Sequence, residues 1–282
     1  MKIIECPRDA MQGLEEFIST EKKAMYINQL LKVGFDTLDF GSFVSPKAIP
    51  QMRDTAEVFQ QLNFDGTTSK LLAIVANTRG AEEACRFEKL SYLGFPLSIS
   101  ETFQRRNTNK SIAEALNSIN EIQEICKNTN QTLVTYISMA FGNPYHDPYD
   151  ADRVGKFVDI LATLDVKIIS LADTTGVSKP EQIRYLLTTL ATQFPELEFG
   201  AHLHSSPQTA AEKIEAAYEA GCQRFDGALK GFGGCPMAED KLVGNLATET
   251  IVDYLDSRNS APDLNREALR EAILLADSIF PN

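Results

Sequence analysis

Residues Lys167 to His204 read KIISLADTTGVSKPEQIRYLLTTLATQFPELEFGAHLH. Two short apolar runs, KIISLAD (Lys167 to Asp173) and EFGAHLH (Glu198 to His204), flank PEQIRYLLTTLATQF, whose apolar residues recur every three or four positions. Short runs of the first kind read as strands, and the second spacing reads as an amphipathic helix. A helix between two strands is the connection that parallel strands need, because a tight hairpin joins only antiparallel ones.

The same unit repeats in both directions. Further strands are expected at KIIEC (Lys2 to Cys6), TLDFGS (Thr37 to Ser42), KLLAIVA (Lys70 to Ala76), PLSISE (Pro96 to Glu101), TLVTYIS (Thr132 to Ser138) and RFDGAL (Arg224 to Leu229). Helical spacing fills TEKKAMYINQLLKVG, SIAEALNSINEIQEICKN, ADRVGKFVDILATL and TAAEKIEAAYEAG, and several of these segments end in the stop signals Gly or Asn. Eight such alternations predict an α/β fold of the (β/α)8 TIM-barrel type over residues 1–282 as a single catalytic domain, with a C-terminal helical segment from about 247 to 282. A doubly wound open sheet is the runner-up, weakened because no GxGxxG follows the first strand.

Composition narrows the function. The chain has 282 residues, 43% of them hydrophobic, and a formal net charge of −12, which fits a globular protein with a sizeable core. The acidic balance argues against nonspecific binding to nucleic acid or to anionic membranes, so an anionic substrate needs a local basic cluster or a metal. No stretch approaches the roughly 20 apolar residues of a membrane span, and MKIIECPRDA lacks a signal-peptide core, so a cytoplasmic location is expected. The five cysteines include no CxxC pair and are expected mostly as buried free thiols.

Barrel enzymes build their sites at the C-terminal ends of the strands. Arg8 and Asp9 follow the first strand there, and His202 and His204 end the seventh, their i, i+2 spacing placing both imidazoles on one face. Two imidazoles, a carboxylate from another strand end and a hard oxygen donor such as Asn245 can hold a divalent metal. The alternative is ordinary: hydrogen-bonded structural histidines, an Asp9 that caps a helix and an Arg8 in a surface ion pair. KGFGGCPMAEDKLVGN (Lys230 to Asn245) is either a glycine-rich loop that folds over a ligand and carries the Cys235 thiol to it, or a plain connection. His146 lies in a Pro/Tyr-rich loop and is expected at the surface. Lys47 meets either a substrate phosphate or a neighbouring carboxylate, and Arg105, Arg106 and Lys110 read as a solvated charge run.

PRDAMQ (Pro7 to Gln12), SFVSPKAIPQM (Ser42 to Met52), SETF (Ser100 to Phe103), SLADTTG (Ser170 to Gly176), HLH, GFGGCP (Gly231 to Pro236) and GNLATE (Gly244 to Glu249) together resemble the 3-hydroxy-3-methylglutaryl-CoA lyases, in order and over nearly the whole chain. SFVSPK and GGCP are specific to that group. The Arg-Asp and HxH pattern is shared with the isopropylmalate, citramalate and homocitrate synthases. The resemblance implies Mg2+ or Mn2+ bound by Asp9, His202, His204 and Asn245, and cleavage of an acyl-CoA substrate to acetyl-CoA and acetoacetate. It implies further that Arg8 stabilises oxyanion charge, that Cys235 delivers a proton, that Asp9 assists deprotonation and that Asp39 shuttles protons, with His202 also in the catalytic set. Gln12, Ser170, Thr174 and Lys47 are the implied substrate contacts, and a homodimer or higher homo-oligomer is the implied assembly.

Departures from the lyase pattern cluster near the site. Asp39 stands where the lyases usually carry glutamate, Ser205 and Ser206 replace Asp-Thr, Ala10-Met11 replaces Gly-Leu, Gly13-Leu14 replaces Asn-Glu, and Met237 replaces tyrosine in a loop one residue longer. They bear on the acyl group more than on the chemistry. A lyase for a related 3-substituted 3-hydroxyglutaryl-CoA, a Claisen-type synthase and a barrel that binds without catalysis are the competing readings.

Overall fold

The computed structural model describes residues 1–234 and 243–280. Eight parallel strands, β1 (Lys2–Glu5), β2 (Thr37–Ser42), β3 (Lys70–Ile74), β4 (Leu90–Ser98), β5 (Thr132–Ser138), β6 (Ile168–Asp173), β7 (Glu198–Leu203) and β8 (Arg224–Gly227), pair in chain order and close into a barrel. Closure joins Lys2 through Glu5 to Arg224 through Gly227 in register, so the sheet has no open edge and the open-sheet alternative fails. Around it run α1 (Pro7–Gln12), α2 (Thr20–Leu31), α3 (Thr55–Gln60), α4 (Thr78–Ala84), α5 (Glu101–Thr108), α6 (Ile112–Lys127), α7 (Ala151–Thr163), α8 (Pro180–Gln193), α9 (Ala210–Glu219), α10 (Thr248–Ser257) and α11 (Arg266–Ile279).

The fourth strand corrects the sequence expectation. It starts at Leu90, six residues before Pro96, and Glu101 belongs to α5, capped by Ser100 Oγ accepting from Phe103 N at 3.1 Å. Gly94 and Pro96 look like breakers in the sequence, since strand interiors disfavour both. Here Gly94 is required by close approach: a Cβ would sit 2.6 Å from Ile74 Cδ1.

Period-two alternation sorts the strand residues into two cores. Outward residues such as Leu93, Phe95, Ile169 and Phe225 join the large core beneath the helices, while Leu72, Ile74, Tyr92, Val134, Tyr136 and Ile168 form a small cluster inside the barrel. The C-terminal segment is helical as expected. Its α11 packs on α2, where Gln29 Nε2 donates to Ala268 O at 3.0 Å and Phe280 meets Tyr26 edge-on.

Glu5 is buried at the end of β1, accepting from Leu229 N at 2.9 Å and Thr248 Oγ1 at 2.5 Å. Burial raises its carboxyl to about 8 against those hydrogen bonds. The folded chain therefore holds a proton there that the unfolded chain releases near pH 4.5, and stability falls as pH rises through that window up to about 8. Glu5→Gln, which keeps an acceptor for Leu229 N and turns an amide N–H toward the Thr248 hydroxyl oxygen in place of the bond that Thr248 donates, is expected to lack this loss. In urea unfolding, its advantage over the natural chain should grow by up to about 1.4 kcal/mol per pH unit across the window, and parallel pH profiles would refute this.

Candidate active site

The chain leaves β1 directly into α1, started by Pro7 at its first turn. This short helix sets Arg8 and Gln12 one turn apart on one face, with Asp9 beside them. Arg8 Nη1 donates to Asp9 Oδ1 at 2.9 Å and Gln12 Oε1 at 2.8 Å. Its Nε reaches both oxygens of Asp39 on β2, at 3.2 and 3.1 Å, and its Nη2 also donates to Asp39 Oδ2. The guanidinium is thereby fixed between two carboxylates.

Across the barrel mouth His202 of β7 and His204, one residue past its end, use their Nδ1 atoms differently. His202 Nδ1 meets Asp226 Oδ2 of β8 at 3.1 Å, and His204 Nδ1 meets the Thr174 carbonyl at 3.1 Å. One ligand atom each of Asp9, His202 and His204 lies within 4.8 Å of the others. Asn245 donates through Nδ2 to Asp9 Oδ2 at 2.7 Å and to Phe232 O at 2.9 Å, which leaves its carbonyl oxygen for another partner. His204 Nε2 is buried with no partner among the described residues. A buried, uncompensated imidazole nitrogen facing a carboxylate and a second imidazole fits a metal ligand.

Electrostatics separates the acids. Burial opposes the charge of Asp9, yet Arg8 and the two histidines hold it down at about 2, whereas burial outweighs Arg8 at Asp39 and lifts it to about 6. Burial, with His202 beside it, lowers His204 to about 4, so it is neutral and able to coordinate at pH 7. His202 moves the other way: burial would lower it, but Asp226 raises it.

Arg8, Asp9, Gln12, Thr174, His202 and His204 line one cavity of about 130 Å3, whose opposite wall is apolar and includes Val44, Ile49 and Phe103. Asp39 and Asn245 reach it through Arg8 and Asp9. Ser170 sits in mid-strand on β6, fully buried, two residues before Ala172, which lines the cavity with Thr174; Ser170 itself does not line it. Lys47 is exposed and lines no part of that cavity. His146 is an exposed loop residue at φ 58°. Arg105 pairs with Glu101 at 2.8 Å, Arg106 lies over the Tyr145 ring and Lys110 bonds Ala76 O and Ser118 Oγ, so none of the three turns into the cavity. Cys235 and Met237 lie outside the described residues.

Two supports escaped the sequence reading. Asp226 shares a barrel face with the end of β8, a period-two signal that was legible once His202 is placed across from it. Lys213 lies on the apolar stripe of α9 with Ala210, Ile214 and Ala217, an anomaly visible in the sequence. Its buried Nζ donates to Asp173 Oδ2 at 2.8 Å and to the carbonyls of Gly176 and His204, both at 2.9 Å. This one ammonium ties the end of β6 to the end of β7.

The family model described as HMGL-like matches residues 2–275. The chain belongs to the HMGL-like family. Within that family it is similar to the hydroxymethylglutaryl-CoA lyase YngG of Bacillus subtilis, 34% identical over 275 residues that cover 94% of this chain and 88% of the relative. It is also similar to the (R)-citramalyl-CoA lyase of Chloroflexus aurantiacus, 30% identical with 93% and 85% covered. A solved HMG-CoA lyase from Acinetobacter baumannii, in complex with coenzyme A and 3-methylmalate, superposes with a TM-score of 0.91 at 31% identity, covering 99% of this chain and 90% of that one. For an HMGL-like barrel, the Lys213 clamp should matter to folding before chemistry. Lys213→Met takes the cation from the buried Asp173 carboxylate, which keeps Val177 N, Ser178 N and Ser178 Oγ as donors, and urea unfolding should read a loss of about 3 kcal/mol; an unchanged midpoint and slope would refute the clamp.

Proposed function

We propose that this chain is a carbon–carbon lyase that cleaves 3-hydroxy-3-methylglutaryl-CoA to acetyl-CoA and acetoacetate, with Mg2+ or Mn2+ held by Asp9, His202, His204 and Asn245. The observation that carries the reading is the convergence of Asp9 with His202 and His204 around the unpartnered His204 Nε2, beside an arginine fixed at the same cavity. When bound, the cation supplies Lewis acidity that lowers the pKa of the substrate's C3 hydroxyl.

The chain's own groups divide the remaining work. Asp9, at about 2, stays ionised and serves as ligand, while Asp39, at about 6, exchanges a proton near neutrality and is assigned as the base for the C3 hydroxyl. As the C3 oxygen becomes a ketone, the C2–C3 bond breaks and its electron pair passes into the thioester enolate. Arg8, whose charge Asp39 and Asp9 sustain against burial, faces the cavity and stabilises that oxyanion without reorganising. The Cys235 thiol is assigned to protonate C2. Gln12 and Thr174 position the acyl portion, and the apolar wall with Val44 and Ile49 excludes water from it.

A second reading keeps this chemistry and changes the acyl group. The shorter Asp39 and the likeness to a citramalyl-CoA lyase favour it. Condensation has no such support, since the relatives compared above are lyases. The proposal extends to a cytoplasmic homo-oligomer: no helix among the described residues is long and apolar enough to cross a membrane, and analytical ultracentrifugation reads the assembly.

Acetoacetate release from 3-hydroxy-3-methylglutaryl-CoA with Mn2+ tests the reading. EDTA or His204→Ala should lower kcat/KM on the order of 100-fold or more. A folded, metal-loaded chain with no turnover would reject this substrate and leave the citramalyl-type esters. Because the base must be ionised, log kcat/KM should rise with pH and level off above about 6, the value of Asp39. Asp39→Asn should abolish that limb along with most of the activity; a limb that survives assigns the base elsewhere.

A further inference from the structure

The barrel interior holds a charged layer that the lyase reading leaves unused. Arg224 of β8 is fully buried, and its Nε, Nη1 and Nη2 have no hydrogen-bond partner among the described residues. The atoms Tyr136 Oη, Ser170 Oγ, Asp226 Oδ1 and Glu198 Oε1 are also buried and unpartnered. Register places these groups together: Tyr136 lies beside Ser170, Ser170 beside Gly200 and Gly200 beside Arg224 on consecutive strands. The layer above it, by the same register, is Ala172, His202 and Asp226.

The fold makes room for this guanidinium. A Cβ at Gly200 would stand 3.0 Å from Arg224 Cδ and 3.0 Å from Ser170 Oγ, so the glycine provides the space that the arginine stem occupies. The opposite charges are close but indirect. Arg224 Nη1 is 3.7 Å from Glu198 Oε1, and Tyr92 presents its ring 5.8 Å from the guanidinium carbon. A buried guanidinium left without acceptors is among the costliest arrangements in a protein, and the matched acceptors around it are what ordered water bridges. Glu198 Oε2 is already taken by Lys2 Nζ at 2.6 Å, so two cations face two carboxylates and the layer calls for no further anion.

We propose that Arg224 is a positioning residue, which acts through Asp226 and bridging water to hold the His202 imidazole with Nδ1 toward Asp226 and Nε2 toward Asp9 and His204. Asp226 has two carboxylate oxygens with separate tasks: Oδ2 takes His202 Nδ1, and Oδ1 is left for the arginine layer. Without the cation below, the buried Asp226 loses its charge partner in the barrel, and its hold on the imidazole, which selects the tautomer, is loosened. The inference deepens the metal-ligand reading and rests on it only for its affinity arm.

The test uses the full chain labelled with 15N-histidine, in which three histidines give a resolvable spectrum. At alkaline pH, above the raised His202 value, the metal-free natural protein should show His202 as one tautomer with Nε2 unprotonated. Arg224→Met should mix the tautomers and weaken Mn2+ binding by roughly 10-fold in calorimetry, Arg224→Lys should restore most of both, and Asp226→Asn should weaken binding by about 10- to 100-fold. If Arg224→Met does not fold, the charge-balanced pair Arg224→Met with Glu198→Gln is read the same way. A folded variant with the natural tautomer and Mn2+ affinity within about twofold would reduce Arg224 to scaffold and overturn the inference. Failure of the natural chain to bind Mn2+ would overturn the metal reading alone, since the tautomer of the metal-free protein still decides the role of Arg224.

Discussion

The pairing of β1 with β8 is the constraint on which the site depends. It brings the start of the chain against residues more than two hundred positions later, with Cys6 N donating to Gly227 O at 2.8 Å just past the last paired residues. Immediately beyond that bond the chain turns into α1, so Asp9 arrives beside His202, His204 and Asn245. Contacts of such sequence separation carry a large closure cost that no local interaction repays. The cost is recovered by the cooperative burial of two cores, one under the helices and one inside the barrel.

Closure also concentrates charge where water is excluded. Arg8, Asp9 and Asp39 are each less than a tenth exposed, and so are His204 and Asp226. Acids and bases alternate around this cluster: Asp39, Arg8, Asp9, the His202 imidazole, Asp226 and Arg224, with the neutral His204 beside them. In a low-dielectric interior each member fixes its neighbours more tightly than it would at a surface. The same enclosure pushes the pKa values of Asp9 and Asp39 apart, to about 2 and about 6, so the same chemical group stays ionised at one position and is close to taking up a proton at the other. Rigidity comes from outside the cluster, through Lys213 gripping the His204 and Gly176 carbonyls and Glu5 gripping Leu229 and Thr248.

The residues around the cavity divide into polar and apolar groups, and among the described departures of this chain from the lyase pattern Asp39 reaches the cavity through Arg8 without lining it. Asp39 no longer projects freely: both its oxygens are engaged by Arg8. Shortening a carboxylate by one methylene at a site where geometry governs rate is a change of reach, with the charge retained.

How far the sequence went follows from which interactions are local. Strand and helix periodicity fixed the order of elements, and the count of alternations required a parallel barrel, because period two and period 3.6 are written in the side chains themselves. The HxH spacing set both imidazoles on one face, and Arg8 with Asp9 fell at a strand end. The boundary of β4 was hidden because Gly94 and Pro96 are tolerated only by packing against Ile74 and by the neighbouring strands. Ser170 lies one inward position short of Ala172, the β6 residue that lines the cavity, a depth that is decided by how the barrel interior fills. Asp226, Lys213 and the buried Arg224 are unremarkable in one dimension. Their roles arise from partners on other strands and helices, and from the removal of water when the barrel closes, which turns ordinary ionisable side chains into fixed charges with shared protons.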